Sequence, residues 1–196
     1  MKTSSITLQL LAMSVLTSAA WAQTPAEQDQ QRDVNQQQRI EQGLKSGQLS
    51  TKEAGSLERQ EQHVDNMEAH DLKNGSMSAG EQARLNAAQN KVSGDIYADK
   101  HNGTTGNPNS ASSQRMQSDV QRNVNQQQRI QNGMDNGSLT NREAGSLERG
   151  QGHVNGKEAN AAANGHVSAR EQGRIQRSAN RQSGRIYRKK HNATTK

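Results

Sequence analysis

Lys45–Glu53 reads KSGQLSTKE, and its punctuation decides the fold. Gly47 suits the left-handed conformation that ends a helix. Ser50 can cap the next helix, and Glu53, three residues on, completes a capping box. The phrase is a helix stop followed by a helix start. It returns as KNGSMSAGE at Lys73–Glu81, DNGSLTNRE at Asp135–Glu143 and ANGHVSARE at Ala163–Glu171. Ser78/Glu81, Thr140/Glu143 and Ser168/Glu171 repeat the box, and each cap contributes ~1 kcal/mol.

Outward from these four turns the chain is a tandem duplication at an offset of 90 residues. VNQQQRI at Val34 recurs at Val124, EAGSLER at Glu53 recurs at Glu143, and 39 of 75 positions agree between 28–102 and 118–192. Each copy predicts three helices divided by two phrases, in the first copy over 30–45, 51–73 and 79–100. The third has the cleanest apolar stripe, Leu85, Ala88, Val92 and Ile96, at helical spacing. The expected class is all-α. Two tandem three-helix modules span 23–102 and 119–192, with a Gly/Ser/Asn-rich flexible linker over 103–118 and a tail over 193–196.

The phrase also resembles the second half of an EF-hand calcium loop, with Gly, a hydrophobe, and a Glu four residues past it. The resemblance covers about eight residues per loop and is of the degenerate kind. It implies weak cation binding, with Glu53, Glu81, Glu143 and Glu171 as the ligating carboxylates. The first half of each loop lacks the oxygen ligands a hard cation needs: Gln42, Leu44 and Ser46 stand there in the first and Asn160, Ala162 and Asn164 in the fourth. Turn plus capping box is therefore the preferred reading, and no metal or cofactor is expected.

The first residues read as a cleaved signal peptide over 1–22, ending in Ala20-Trp21-Ala22, so Gln23 should begin the mature chain. That pattern predicts a bacterial periplasmic or secreted protein with no membrane span. The chain has no Cys and no Phe, and 23–196 holds only 7 Leu, 5 Ile and 7 Val. So little apolar material predicts small, thinly packed units, each closed at its end by Tyr97 or Tyr187. It also predicts that the many carboxylates stay solvated. With no nucleophile motif, metalloprotease motif or phosphate loop, an enzyme is not expected. His63 and His70, with Met67 between them, read as a solvent-facing pair.

Charge divides the copies. Residues 23–112 carry 9 Lys/Arg against 13 Asp/Glu, and 113–196 carry 15 against 6. Asp33 becomes Asn123, Asp65 becomes Asn155 and Asp95 becomes Arg185 at the 90-residue offset. The last helix gathers Arg170, Arg174, Arg177, Arg181, Arg185 and Arg188 on one face, extended by Lys189 and Lys190. Arginine forks suit phosphate and carboxylate groups. The ridge reads as a solvated face, as a surface pairing with the acidic copy within or between chains, or as a site for an anionic envelope component, extracellular nucleic acid or acidic polysaccharide; with a signal peptide in front, intracellular nucleic acid is not expected. The functional expectation is an exported, non-enzymatic binding or stress-related envelope protein that contacts anionic partners through its second repeat. Weak cation binding by the loops and self-association of acidic and basic repeats are the alternatives.

Overall fold

The computed structural model describes residues 23–193; the stretch expected to be a signal peptide, with its expected cleavage point after Ala22, lies outside the described residues. Six α-helices pack together: α1 Pro25–Ser46, α2 Thr51–Asp71, α3 Ala79–Lys100, α4 Ala111–Asp135, α5 Asn141–Ala162 and α6 Ala169–Lys190. A 3-10 turn, Leu72–Asn74, follows α2. None of these helices is long and apolar enough to cross a membrane.

The turns behave as their residues dictate. Gly47, Gly75, Gly137 and Gly165 all take positive φ, between 74° and 95°, a conformation that costs glycine little. At α2 the Ser50 N–H donates to Glu53 Oε2 at 2.8 Å, and Glu53 N–H donates back to Ser50 Oγ at 3.2 Å. The same reciprocal pair opens α3, α5 and α6. It also opens α1, through Thr24 and Glu27.

The two copies do not stand apart. α2 lies antiparallel against α5, and α1 pairs with α4. Small residues permit the close α2–α5 approach: a Cβ built on Gly55 would come 2.5 Å from that of Ala162, and one on Gly145 would come 2.8 Å from that of Leu72. These contacts are related by the 90-residue offset in reverse order, so the pair is close to two-fold symmetric. α3 covers α1 and α2, where Arg32 donates to Asn86 and Asn90 and Gln36 to the Gln89 carbonyl. α6 covers α4 and α5 in the same way, with Arg122 on Asn180 and Gln126 on the Ala179 carbonyl.

Residues 101–110 are the connection, and α4 begins inside the stretch expected to be linker because Ser110 caps it, accepting from Ser113 N–H at 3.1 Å. The connection is also tied down: Gly106 N–H donates to the Gly47 carbonyl at 2.8 Å.

Among the described residues the apolar interior takes nearly every large aliphatic side chain, including Ile40, Leu44, Leu57, Val64, Leu85 and Ile96 and, from the second copy, Ile130, Met134, Leu147, Val154, Ile175 and Ile186. The tyrosines do not close it. Tyr97 and Tyr187 are 63% and 59% exposed, each stacked on the histidine four residues later, His101 or His191. Leu49 and Leu139, set in the turns, are fully buried instead.

Candidate functional site

The carboxylates of the four loop phrases are engaged in capping. Hydrogen bonds from Ser78 and Ser168 hold Glu81 and Glu171 below their ordinary pKa. For Glu53 and Glu143 partial burial pushes the other way, but bonds from Asn102 and Ser50, and from Asn192 and Thr140, prevail. A capped carboxylate with an oxygen committed to its own helix start has little left for a cation.

The arginine ridge is where helical spacing puts it. Arg170, Arg174, Arg177, Arg181 and Arg188 are exposed, while Ile175 and Ile186 on the opposite side are buried. Among the described residues none of these arginines makes an ion pair within 4.0 Å. Arg185 is half-buried and donates to the Ser146 carbonyl at 2.8 Å, and Lys190 donates to the Arg129 carbonyl at 3.1 Å.

Beside the ridge, between α5 and α6, lies a cleft of about 440 Å³. Arg149, Arg181, Arg185 and His153 line it, with Gln62, Asn66 and Gln182, and Gly150 forms part of its wall. Any Cβ at Gly150 would strike the Gln182 and Arg185 side chains. Partial burial, with Lys157 and Arg181 nearby, depresses the His153 pKa. At the equivalent place in the first copy the cleft is smaller, about 250 Å³, and is lined by Arg59, Gln60, His63, Val64, Ala88, Lys91 and Val92. There Lys91 pairs with Asp95 at 2.5 Å, whereas Arg185 replaces that aspartate in the second copy. Arg149 belongs to the basic site and lay off the α6 ridge, on the neighbouring helix.

The larger surprise is inside. Asp33, Glu58, Glu61, Asp65, Glu68, Glu148 and Glu158 are each 1% exposed or less, and no Lys or Arg is buried with them among the described residues. On α2, Glu58, Glu61, Asp65 and Glu68 are spaced three, four and three apart, which is one helical face, and that face meets α1, α4 and α5. Asp33, Asp65, Glu68 and Glu148 each offer an oxygen within 4.8 Å of the others. Glutamines from the surrounding helices brace the group. Gln30 donates to Glu68 at 2.9 Å, Gln89 to Asp33 at 2.8 Å and Gln127 to Glu148 at 3.0 Å.

Burial pushes Asp33 up to about 7 and Glu58 and Glu148 up to about 8. Burial and then mutual repulsion drive Asp65, Glu68 and Glu61 well above the carboxylate range. The expectation of solvated carboxylates is therefore wrong. The helices desolvate their acids by packing small residues opposite them, as where Gly152 lies against Asp65, and not by surrounding them with large hydrophobes.

The second copy holds the mirror-image group in another form. Asn123 and Asn155 stand where Asp33 and Asp65 stand in the first, and Glu158 and Glu58 match Glu68 and Glu148. The asparagines supply donors that carboxylates cannot. Asn123 donates to Glu158 at 2.6 Å, Gln151 to Asn123 at 3.0 Å, and Asn155 to Asp65 at 2.8 Å. His70, Asp71 and Glu81, of which only Asp71 is buried, form a second acidic and imidazole group, but His70 is engaged with Asp71 at 2.9 Å and Glu81 with its cap. His63 lines the first-copy cleft and shares no ligand group with His70.

Comparison of the chain with family models, with characterised proteins and with solved structures finds no match.

Proposed function

We propose that the protein is a non-catalytic binding protein that holds a phosphate- or sulfate-bearing polyanion in the α5–α6 cleft and along the adjoining ridge. Arg149, Arg181 and Arg185 grip the anion in the cleft. Arg170, Arg174, Arg177, Arg188, Lys189 and Lys190 extend the positive field along α6. The observation that carries this reading is the contrast between equivalent clefts: the first is lined largely by apolar atoms and has its lysine paired, while the second opens around three arginines with no facing carboxylate. Like charges at helical spacing repel, so a polyanion bound along the ridge relieves a cost the free protein carries. Export to an envelope or extracellular compartment is part of the same proposal, and the two-repeat organisation supplies it with one anion-binding copy.

Self-association through acidic and basic repeats has weaker support. Nine of the 13 carboxylates in 23–112 are buried, so the first copy presents little acidic surface to a partner.

Fluorescent heparin, read by anisotropy against the full chain, tests the proposal. Wild type should bind at low salt and release steeply as salt rises. Arg149→Gln/Arg181→Gln should weaken binding about tenfold or more, while Lys91→Gln in the first copy should leave it unchanged. Equal affinity for all three proteins would overturn the assignment of the cleft. A single-stranded DNA competitor distinguishes nucleic acid from sulfated polysaccharide as the preferred anion.

A further inference from the structure

The buried carboxylate group raises a problem that hydrogen bonding within the protein does not solve. Asp33, Asp65, Glu68 and Glu148 converge from α1, α2 and α5 with no buried cation. Glu61, one turn from Asp65 on the same helix, is 1% exposed, and neither of its carboxylate oxygens has a hydrogen-bond partner. Its counterpart Gln151 donates to Asn123 and Asn155, the counterparts of Asp33 and Asp65, and its electrostatic neighbours are Asp33, Glu58 and Asp65, opposed only in part by Arg39. One oxygen of Glu148 and one of Glu58 are likewise buried and unpartnered. Burying a carboxylate without compensation is costly, so such groups are paired, protonated or ligated to metal.

The second copy shows a different solution at the same positions. Asn123 and Asn155 replace two of the carboxylates, and their amides donate to Glu158 and Asp65. The group around Asp33 keeps all four acids, three from the first copy and Glu148 from the second, although the scaffold accepts asparagine at two of the places. The donor set there is entirely oxygen, without His or Cys. That chemistry favours hard divalent ions over soft ones. Ligand oxygens within 4.8 Å of one another fit a coordination sphere with metal–oxygen distances of about 2.3–2.6 Å, the Ca²⁺ range. Mg²⁺ demands shorter bonds and keeps several waters, which suits a close-packed helix interface less well.

We propose that Asp33, Asp65, Glu68 and Glu148, with Glu61 beside them, bind one hard divalent cation of the Ca²⁺ or Mn²⁺ type in the centre of the helix bundle. The site needs both copies, since Glu148 comes from the second. It differs from the calcium-loop resemblance in place and in residues: the cation sits between helices, and the loop carboxylates remain caps. It also accounts for the distribution of acids, with the first copy supplying negative charge inward while the second supplies positive charge outward.

Manganese itself is the probe. The full chain is unfolded in urea with a chelator, refolded with Mn²⁺, and assayed by the loss of the free-ion electron paramagnetic resonance signal. Wild type should retain one Mn²⁺ per chain, displaceable by excess Ca²⁺. Asp33→Asn/Asp65→Asn copies the solution found in the second repeat, so it should keep its helical circular dichroism. It should bind Mn²⁺ about 100-fold more weakly or worse, since even groups that only orient ligands contribute about 10–100-fold. If that variant fails to fold, Glu148→Gln provides the same comparison with one charge removed. Glu53→Gln/Glu171→Gln should bind as wild type does. A folded wild type that retains no Mn²⁺, or an Asp33→Asn/Asp65→Asn protein that binds it equally well, overturns the proposal.

Discussion

Asn155 donates its side-chain amide to Asp65 at 2.8 Å across the α2–α5 contact, and the two residues occupy the same position of the duplicated unit. A symmetric duplication would set two carboxylates face to face there. The asparagine turns that repulsion into a hydrogen bond. Asn155→Asp should therefore lower stability at pH 7.5 in chelator by about 1–3 kcal/mol, the cost of a lost donor beside a buried acceptor. The loss should shrink at pH 5, where keeping the added buried carboxyl protonated costs less relative to the unfolded chain. Urea midpoints at the two pH values give the comparison; an equal loss at both would show that repulsion is not the cause.

The close α2–α5 approach depends on residues without side chains. Gly55→Ala places a Cβ 2.5 Å from that of Ala162 and should destabilise by about 1–3 kcal/mol, as overpacking does, despite alanine's better helix propensity. Gly94, on the exposed side of α3, has open space at its Cβ. There the same change should stabilise by about 0.5–1 kcal/mol. Opposite signs in chemical unfolding are the expected result.

The loop carboxylates act on helix starts. Ser50→Ala should cost about 1 kcal/mol, the usual loss of a cap, and should leave cation retention unchanged. A calorimetric cation titration of this variant checks the second part; weaker binding would return the metal question to the loops.

The basic cleft owes its opening to Gly150, whose counterpart in the first copy is Gln60. Gly150→Gln should fill the space beside Gln182 and Arg185 and reduce heparin affinity severalfold at low salt. Unchanged affinity would move the binding surface wholly onto the exposed ridge.

The elements of this fold were legible because they rest on local chemistry. Gly47 and its three counterparts could only end helices, and Ser50 with Glu53 could only start one. The six arginines of α6 were equally readable, because spacing alone puts them on one face. What spacing could not decide is which polar face points inward. Glu58, Glu61, Asp65 and Glu68 keep a strict helical spacing that in most helices marks a solvated stripe. Only the packed neighbours make that stripe interior, with α5 set close by Gly145 beside Glu68 and Gly152 beside Asp65 and with α1 and α4 glutamines closing over it. The one sequence signal is the exchange of Asp33 and Asp65 for Asn123 and Asn155, which reads as part of the charge difference between the copies and is also a change in how a buried group is satisfied.

The central claim is that the acids around Asp33, Glu58 and Glu148 lie in a shared, desolvated interior, and its most direct test is metal-free stability against pH. Asp33, Glu58 and Glu148 hold their protons up to about 7 or 8 in the folded chain, whereas unfolded carboxyls release theirs near pH 4. The folded state thus binds more protons between these limits. Its stability is greatest below the unfolded pKa and falls as pH rises through the folded values. Arg39 beside Glu61 and Arg32 beside Asp33 offset this only in part, since burial outweighs both. Urea unfolding of the full chain in chelator should show stability falling by roughly 3 kcal/mol or more from pH 5 to pH 8, the equivalent of about two pK units on a single group. Stability that stays level or rises toward pH 8, as solvated or ion-paired carboxylates give, would contradict it.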